Sequence, residues 1–371
     1  MMNLISITKK LKEELVFTIS LALAVITSFF SVPELSYINL KVLALLFNLM
    51  IIIAAFRNLF VLDKISLWIL SKCHSARLIS MIFIVITFLS SMLVTNDVSL
   101  ITFVPLAIFT FKKIKIDPMK TVILQTLAAN IGSSLTPMGN PQNLFLFTFY
   151  KLNGFQFFSI TFPFVFLGLL WILFLNRRIS KEKFELSFDK ISIKNTKKTV
   201  IYLILFILVI LSVFNLIDYK YILLITLLFV VCMDIRILKQ VDYFLLATFV
   251  FFFIFIGNVS NITIIKETLE SLLLRPSMPY FSSIILSQGI SNVPCSILIS
   301  SFTNNWREVL LGVNIGGMGT LIASLASLIS YKIYFNSNPG NKNLYLKKFH
   351  IYNFVSLFIF AIIMYFYLLF F

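Results

Sequence analysis

Charged residues are scarce in this chain: Asp, Glu, Lys and Arg make up 12% of its 371 residues. A soluble domain carries about 25%, so this composition excludes a soluble globular protein. The chain also has only 2 His and 3 Cys, and the cysteines show no pairing or metal-ligand spacing. It contains no H-E-x-x-H and no G-x-S-x-G motif, which argues against an intramembrane enzyme. We therefore predict that the protein is not an enzyme and has no resident metal or cofactor.

Apolar residues dominate instead. Hydrophobic residues make up 59% of the chain, with 42 Phe, and several apolar runs reach the roughly 17–25 residues that cross a bilayer as a helix. The net charge of +16 comes from basic residues in short loops, the pattern of cytoplasmic loops, and not from a nucleic-acid-binding surface. We predict an all-α polytopic protein of the cytoplasmic (inner) membrane that contacts the lipid bilayer and no nucleic acid. Its N-terminus is predicted to be cytoplasmic and its C-terminus outside.

Residues 78–111 are predicted to form a re-entrant hairpin. Basic residues flank both ends, and a polar tip, Thr95-Asn96-Asp97, lies near the middle. Two full crossings are just possible on length, but a hairpin entering from the cytoplasm places the tip at membrane depth, where protein can bury it. Asp97 is then the one carboxylate deep in the membrane, which makes it a candidate functional residue. The alternative is a capping aspartate satisfied by backbone N–H groups.

The stretch ANIGSSLTPMGNPQN, residues 129–143, interrupts a predicted membrane helix at residues 121–150. Glycine permits positive φ and close approach of a ligand, and proline prevents the helix from closing again. Helix N-termini freed by such a break favour an anion, while carbonyl, Asn, Ser and Thr oxygens suit a cation such as Na⁺. The stretch is therefore predicted to be a ligand cradle.

The second half repeats the order of these parts upside down. Residues 15–176 read as two spans, an amphipathic arm at 65–77, the hairpin, the broken helix and one more span. Residues 177–219 hold a basic loop and a single linker helix, and this odd helix inverts the second repeat. Residues 220–371 again hold two spans and an arm, then a hairpin at 276–303, a broken helix at 308–335 and a last span, giving nine spans in all. Two inverted-topology repeats, each with a re-entrant hairpin and a discontinuous helix, indicate a secondary transporter with its site at the midplane.

Four segments carry a family resemblance: TNDVSLITFVPLAIF at 95–109, ANIGSSLTPMGNPQNLFLF at 129–147, SNVPCSILIS at 291–300 and NIGGMGT at 314–320. With them the chain resembles the ion-transporter superfamily of arsenite/antimonite efflux permeases, NhaD-type Na⁺/H⁺ antiporters, citrate permeases and divalent-anion/sodium symporters. The resemblance implies an elevator-type transporter, commonly a homodimer. Asp in the third place of the first tip favours the arsenite-permease side, where proton coupling is plausible.

Residues of the tips and breaks form the predicted site. Those expected to bind substrate are Asn96, Asn130, Gly132, Ser133, Thr136, Gly139, Asn140, Asn292, Asn314, Gly316, Gly317 and Thr320. Those expected to bind the coupling ion, H⁺ or Na⁺, are Asp97, Thr95, Asn96 and Ser291. No Lys or Arg is expected at the midplane, so anion binding would depend on helix ends and polar side chains.

The leading interpretation is a secondary active transporter of a small inorganic or organic anion, coupled to H⁺ or Na⁺. The alternative is a Na⁺/H⁺ antiporter that carries no anion. A channel subunit or receptor would also fit nine spans, but it would not require two hairpins beside two broken helices.

Overall fold

The computed structural model describes residues 15–61, 64, 75–179, 194–338 and 342–370. All the longer secondary-structure elements among them are helices, and seven of these helices are long and apolar enough to cross a membrane. The prediction of an all-α polytopic membrane protein is thereby confirmed. The predicted arm at 65–77, apart from its last three residues, and most of the basic loop after residue 176 lie outside the described residues.

The first half contains seven α-helices in its described part. They are α1 (Leu15–Ser28), α2 (Leu40–Asn58), α3 (Ala76–Val94), α4 (Asn96–Lys113), α5 (Met119–Ser133), α6 (Pro141–Phe149) and α7 (Gly154–Asn176). Local signals set several starts: Asn39 caps α2, and Asn153 with Gln156 forms a capping box at α7. The turn residue Thr95 separates α3 from α4, and a seven-residue loop separates α5 from α6.

The rest of the chain contains nine more in its described part. They are α8 (Thr196–Val213), α9 (Tyr219–Asp234), α10 (Tyr243–Ser260), α11 (Thr263–Leu273), α12 (Met278–Ile290), α13 (Asn292–Ser300), α14 (Trp306–Gly316), α15 (Leu325–Ser337) and α16 (Lys342–Leu369). Short 3-10 helices lie at Leu35–Tyr37 and Ile235–Gln240.

Several predicted span limits differ from the structure, among them those of the first and last spans. The apolar run that begins at residue 15 predicts a first span to residue 32, but α1 ends at Ser28. Residues 29–31 form a turn and bend, and Pro33 disfavours helical backbone in the residue before it. The apolar run after the basic cluster predicts a last span that begins at residue 349, yet α16 already starts at Lys342. Lysine is a good helix former, so the basic cluster before the apolar run extends the helix.

The helices pack in two groups. In one group α3 packs on α4 and α5, and α12 packs on α13 and α14. The second segment of each broken helix packs on the hairpin of the other half: α6 packs on α13, and α15 packs on α4. In the other group α1 packs on α10, and α2 packs on α8 and α9. The inversion of the two halves across a membrane stays a prediction.

Candidate functional site

Both hairpins turn at a single residue with the same unusual backbone. Thr95 has φ 73° and ψ 153°, and Ser291 has φ 73° and ψ 152°. This region is essentially restricted to glycine, and a residue with a side chain held there costs about 1–3 kcal/mol. The surrounding contacts must therefore hold both tips in place.

Each tip is hydrogen-bonded to the helix break of its own half. The backbone N–H of Asn96 donates to the carbonyl of Gly139 over 3.1 Å, and that of Asn292 donates to the carbonyl of Ala323 over 2.9 Å. A break that was only a kink would leave these carbonyls in its own helix. Here the unwound backbone of each break satisfies the first N–H group of a hairpin helix.

Threonine side chains make a second, parallel attachment. The hydroxyl of Thr136 donates to the carbonyl of Met92, and the hydroxyl of Thr320 donates to the carbonyl of Gln288 over 2.8 Å. When Asn130-Ile131-Gly132 is aligned with the identical Asn314-Ile315-Gly316, Thr136 matches Thr320. The acceptors of the two threonines each lie three residues before a tip. The two predicted site threonines thus attach a break to a hairpin.

Two asparagines join the halves by reciprocal bonds. Asn140 donates from Nδ2 to Oδ1 of Asn314 over 3.2 Å. In the mirrored arrangement Ser324 donates from its hydroxyl to Oδ1 of Asn130 over 3.0 Å. Asn130 aligns with Asn314, and Asn140 with Ser324, so each break contacts the asparagine of the other. All four residues are at most 4% exposed.

Asn130 also connects the first hairpin to the second half. Its Oδ1 accepts from Nδ2 of Asn96 over 3.3 Å, and its Nδ2 lies 3.3 Å from both the carbonyl of Gly317 and the hydroxyl of Ser327. Gly317 in turn lies against the second tip, because an added Cβ would lie 2.8 Å from Nδ2 of Asn292. The amides of both hairpin tips therefore lie in one neighbourhood.

A second layer of bonds orders the first break. Asn314 donates to Oδ1 of Asn143 over 2.7 Å, and Asn143 donates onward to the carbonyls of Ser134 and Thr136, each over 3.3 Å. The hydroxyl of Ser134 donates to Oδ1 of Asn314 over 2.9 Å. Ser133 accepts from Asn140 over 3.1 Å. In this conformation the buried amides and hydroxyls satisfy one another.

Four helices begin at this network. These are α4 and α13 at the hairpin tips and α6 and α15 after the breaks. Asn140 and Ser324, which directly precede α6 and α15, are hydrogen-bonded within the network, and α4 and α13 begin at the bonded residues Asn96 and Asn292. Asn140 caps α6 by accepting from the N–H of Asn143, whereas the capping residues of α4, α13 and α15 make no side-chain cap. Each free helix N-terminus carries about half a positive charge. The helices α3, α5, α12 and α14 end at the same place, so their C-terminal carbonyls offset part of this charge. The network offers N–H donors without containing a lysine or arginine.

Two of the predicted site glycines lie at helix contacts. A Cβ on Gly132 would lie 2.4 Å from the carbonyl oxygen of Phe88 and 2.7 Å from the hydroxyl of Ser91. A Cβ on Gly316 would lie 2.7 Å from the hydroxyl of Ser287. These glycines allow α5 and α14 to approach α3 and α12 closely, which brings each break against its hairpin.

Asp97 lies on the wall of a cavity of about 160 Å³ beside the first tip. Residues of both helix groups line this cavity, among them Thr95, Asp97, Pro141, Arg57, Gln240 and Asp242. Oδ1 of Asp97 is buried and has no hydrogen-bond partner in the described part of the chain. The space is large enough for several water molecules or small ions. Within the described residues, no group of three or more His, Cys, Asp or Glu is placed to hold a metal ion.

The structure adds residues that the sequence analysis did not select. Arg57 shares the cavity with Asp97, although no pattern in the sequence indicates that α2 lies next to the hairpin tip. Asn143 and Ser134 lie inside the quoted first break, so their polar character was a usable signal. Ser324 was visible only through its alignment with Asn140.

Helical hairpins whose tips meet broken helices in a largely apolar, polytopic chain define a membrane transport protein. Comparison with known families agrees: the model described as "Citrate transporter" matches residues 4–304. The chain belongs to this family.

Similar proteins are also membrane proteins by name. An uncharacterized transporter of Methanocaldococcus jannaschii is 40% identical over 296 residues, covering 79% of this chain and 80% of the relative. The inner membrane protein YbiR of Escherichia coli is 28% identical over 280 residues, 75% of this chain and 73% of the relative. A Dictyostelium discoideum protein named arsB is 34% identical over 99 residues, 27% of this chain and 17% of the relative.

Proposed function

We propose that the protein is a secondary active transporter that carries a small inorganic or organic anion across the cytoplasmic membrane and couples it to H⁺ or Na⁺. The observation that carries this proposal is the meeting of four helix N-termini at a buried network of amides and hydroxyls from both halves. Backbone N–H groups at helix N-termini can bind an anion directly. The family description makes citrate a first candidate substrate.

The hydrogen bonds between the two halves support a mode of binding in which the anion replaces these bonds. Across the halves, the amide of Asn140 pairs with that of Asn314, and the amide of Asn130 pairs with the hydroxyl of Ser324. An anion that enters between the breaks would replace these bonds and accept from the same N–H donors. The amides keep a hydrogen-bond partner in both situations, so opening the network leaves no buried donor without an acceptor.

Asp97 is the proposed coupling group. Its unpartnered oxygen lies on the cavity beside the first tip, and an intramembrane carboxylate without a partner is a site for H⁺ or Na⁺. Thr95, Asn96 and Ser291 remain proposed ligands of the coupling ion. In the same cavity, Arg57 supplies a positive charge toward an approaching anion.

Elevator movement is the proposed mechanism. The hairpins and broken helices would move together, because their bonds run between tip and break. The group of α1, α2, α8, α9 and α10 would form the scaffold, and the Asp97 cavity lies between that group and the first tip. A homodimer in this mechanism remains a prediction from the family resemblance.

A Na⁺/H⁺ antiporter is the second candidate. The observation that favours it is the presence of two carboxylates, Asp97 and Asp242, on one cavity. Such an antiporter would need no anion. The two candidates make different predictions for the same flux measurement.

That measurement is flux in proteoliposomes, with citrate, succinate, sulfate, phosphate and arsenite offered separately under an imposed H⁺ or Na⁺ gradient. The proposal expects saturable uptake of at least one of them that follows one gradient. Exchange of Na⁺ for H⁺ across the membrane, without transport of any of the five anions, would instead establish the antiporter.

Arg57→Gln tests the anion itself. Removing a positive charge that faces the substrate path raises KM by about tenfold, roughly 1.4 kcal/mol of binding free energy, with little change in kcat. Lys239→Gln is the matched control, because Lys239 is an exposed cation of the adjoining 3-10 helix that does not line the cavity. Equal KM values in the two variants would remove Arg57 from the substrate path.

A further inference from the structure

A second cavity, of about 370 Å³, lies on the other side of α2 from the Asp97 cavity. We call it the basic pocket and define it by Asn58, Lys194, Lys198, Tyr202, Asp234 and Arg236. It is formed where the end of α2 meets the start of α8 and the 3-10 helix after α9. Only Gln240 lines both cavities, so the basic pocket is separate from the proposed transport site.

The basic pocket has an excess of positive charge. Lys194, Lys198 and Arg236 line it with a single carboxylate, Asp234. Within the described residues, none of these three cations lies within 4.0 Å of a carboxylate oxygen. Oδ1 of Asp234 instead accepts from the backbone N–H of Arg236 over 3.1 Å.

Two of the cations are held in place. Nζ of Lys198 donates to the carbonyl of Met233 over 3.0 Å, which holds its charge near the end of α9. Nζ of Lys194 lies 4.1 Å from the centre of the Phe60 ring. Fixed cations lose less side-chain entropy on binding an anion than freely rotating ones.

The N-terminus of α8 adds to the positive field. Asn195 accepts from the backbone N–H of Lys198 over 3.0 Å, so α8 begins at the pocket. A helix of 18 residues presents about half a positive charge at this end. The helix end and the cations therefore act on the same volume.

Tyr202 supplies an independent sign of a ligand. It is fully buried, and its hydroxyl has no hydrogen-bond partner in the described part of the chain. Tyr202 lies one helical turn after Lys198, on the same face of α8, and it lines the pocket. A buried hydroxyl without a partner is costly, and an anion in the pocket would accept from it.

The neighbouring surface indicates where the anion comes from. The elements that form the pocket also expose apolar side chains, with Ile204 on α8 at 53%, Val231 on α9 at 54% and Ile235 on the 3-10 helix at 58%. Apolar helix faces beside a basic cluster fit a lipid whose chains lie on the helices and whose headgroup reaches the cations. From this combination we infer that the basic pocket binds the phosphate of an anionic phospholipid.

Lipid binding to the purified full chain tests the inference. The probe is dioleoylphosphatidylglycerol titrated into protein in neutral detergent, with dioleoylphosphatidylcholine and inorganic phosphate in parallel titrations. Binding is read by native mass spectrometry and by the shift in unfolding temperature. The expected result is tight, saturable binding of phosphatidylglycerol and weak binding of the other two. If inorganic phosphate binds as tightly as the lipid, the inference that the bound phosphate belongs to a phospholipid is overturned.

Two matched double variants separate the pocket from general surface charge. Lys194→Gln with Arg236→Gln removes two pocket cations. Lys197→Gln with Lys239→Gln removes two exposed cations, one from the first turn of α8 and one from the same 3-10 helix as Arg236. Neither of them lines the pocket. At about 1 kcal/mol per cation, we expect the pocket variant to weaken phosphatidylglycerol binding about 30-fold, at least tenfold more than the control. Equal losses would overturn the site.

Tyr202→Phe removes only the hydroxyl. We expect it to weaken phosphatidylglycerol binding several-fold and to leave the unfolding temperature of the lipid-free protein unchanged or slightly higher, since the unpartnered group is gone. A purely structural role for Tyr202 would lower the lipid-free unfolding temperature instead. Unchanged lipid affinity would contradict the inference.

Discussion

At the first hairpin tip the residue after Asn96 is Asp97, which borders a cavity, whereas at the second tip the residue after Asn292 is Val293, which is 6% exposed and packs in the core. The backbones of the two tips agree within a degree in φ and ψ, and each tip bonds to its break in the same way. The shared geometry positions amides, which any polar ligand can use. The carboxylate occurs in one half only, so the proposed coupling chemistry is confined to that half.

The breaks differ as well. An added Cβ at Gly139 would lie 2.1 Å from the carbonyl oxygen of Ser133. Because this is a backbone atom, it cannot move away by a side-chain rotation. The matching residue of the second break is Ala323, which already has a Cβ and is fully buried. The first break is therefore the tighter turn, and it is the one beside Asp97.

The largest effect is expected from changing these two positions. Gly139→Ala should lower the free energy of unfolding by about 3 kcal/mol, because the methyl group overlaps backbone, and should reduce the yield of folded protein. Ala323→Gly should cost only about 1 kcal/mol. Thermal unfolding in detergent measures both. Equal losses would mean that the two breaks have the same local geometry after all.

A double-mutant cycle measures the reciprocal bonds between the halves. Asn140→Ala with Asn314→Ala, and Ser324→Ala with Asn130→Ala, should each give a coupling energy of about 1 kcal/mol. The cycle is needed because Asn140 also caps α6, and that contribution cancels in the cycle. Asn140→Ala with Asn153→Ala is the control and should give about zero. A coupling energy in only one of the two pairs would show that only that hydrogen bond joins the halves.

The smallest effects are expected at the tips. Thr95→Gly and Ser291→Gly remove a side chain from a backbone that favours glycine, so each should stabilise the fold by up to about 1 kcal/mol. The gain at Ser291 should be the smaller one, because its hydroxyl makes a 3.5 Å contact with the carbonyl of Ala323. Unfolding temperatures of the two variants test this order. A loss of stability in both would mean that the side chains themselves hold the turns.

Local signals were enough to predict much of this site. Gly and Pro between apolar flanks predicted the interruption that the structure has between Ser133 and Pro141. The polar triplet at 95–97 predicted the turn between α3 and α4. The predicted breaks contain the asparagines that form the network, Asn130, Asn140 and Asn314.

The partners of these residues were not readable from the sequence. Asn140 bonds to Asn314 and Asn130 to Ser324, pairs that are distant in the chain and depend on how α6 and α15 cross to the other hairpin. Arg57 reaches the Asp97 cavity only because α2 packs beside the first tip. Glycine provides a further case: a ligand cradle and close helix packing require the same residue type, and only the contacts of Gly132 with Phe88 distinguish them.

The most direct test is transport by Asp97→Asn in proteoliposomes, measured both as gradient-driven accumulation and as anion exchange without a gradient. Asp218→Asn is the matched control, because Asp218 caps α9 by accepting from the N–H of Lys220 and asparagine caps equally well. If coupling resides at Asp97, Asp97→Asn loses accumulation and keeps exchange, while Asp218→Asn keeps both. Accumulation by Asp97→Asn at the wild-type level would contradict the assignment of coupling to the first tip.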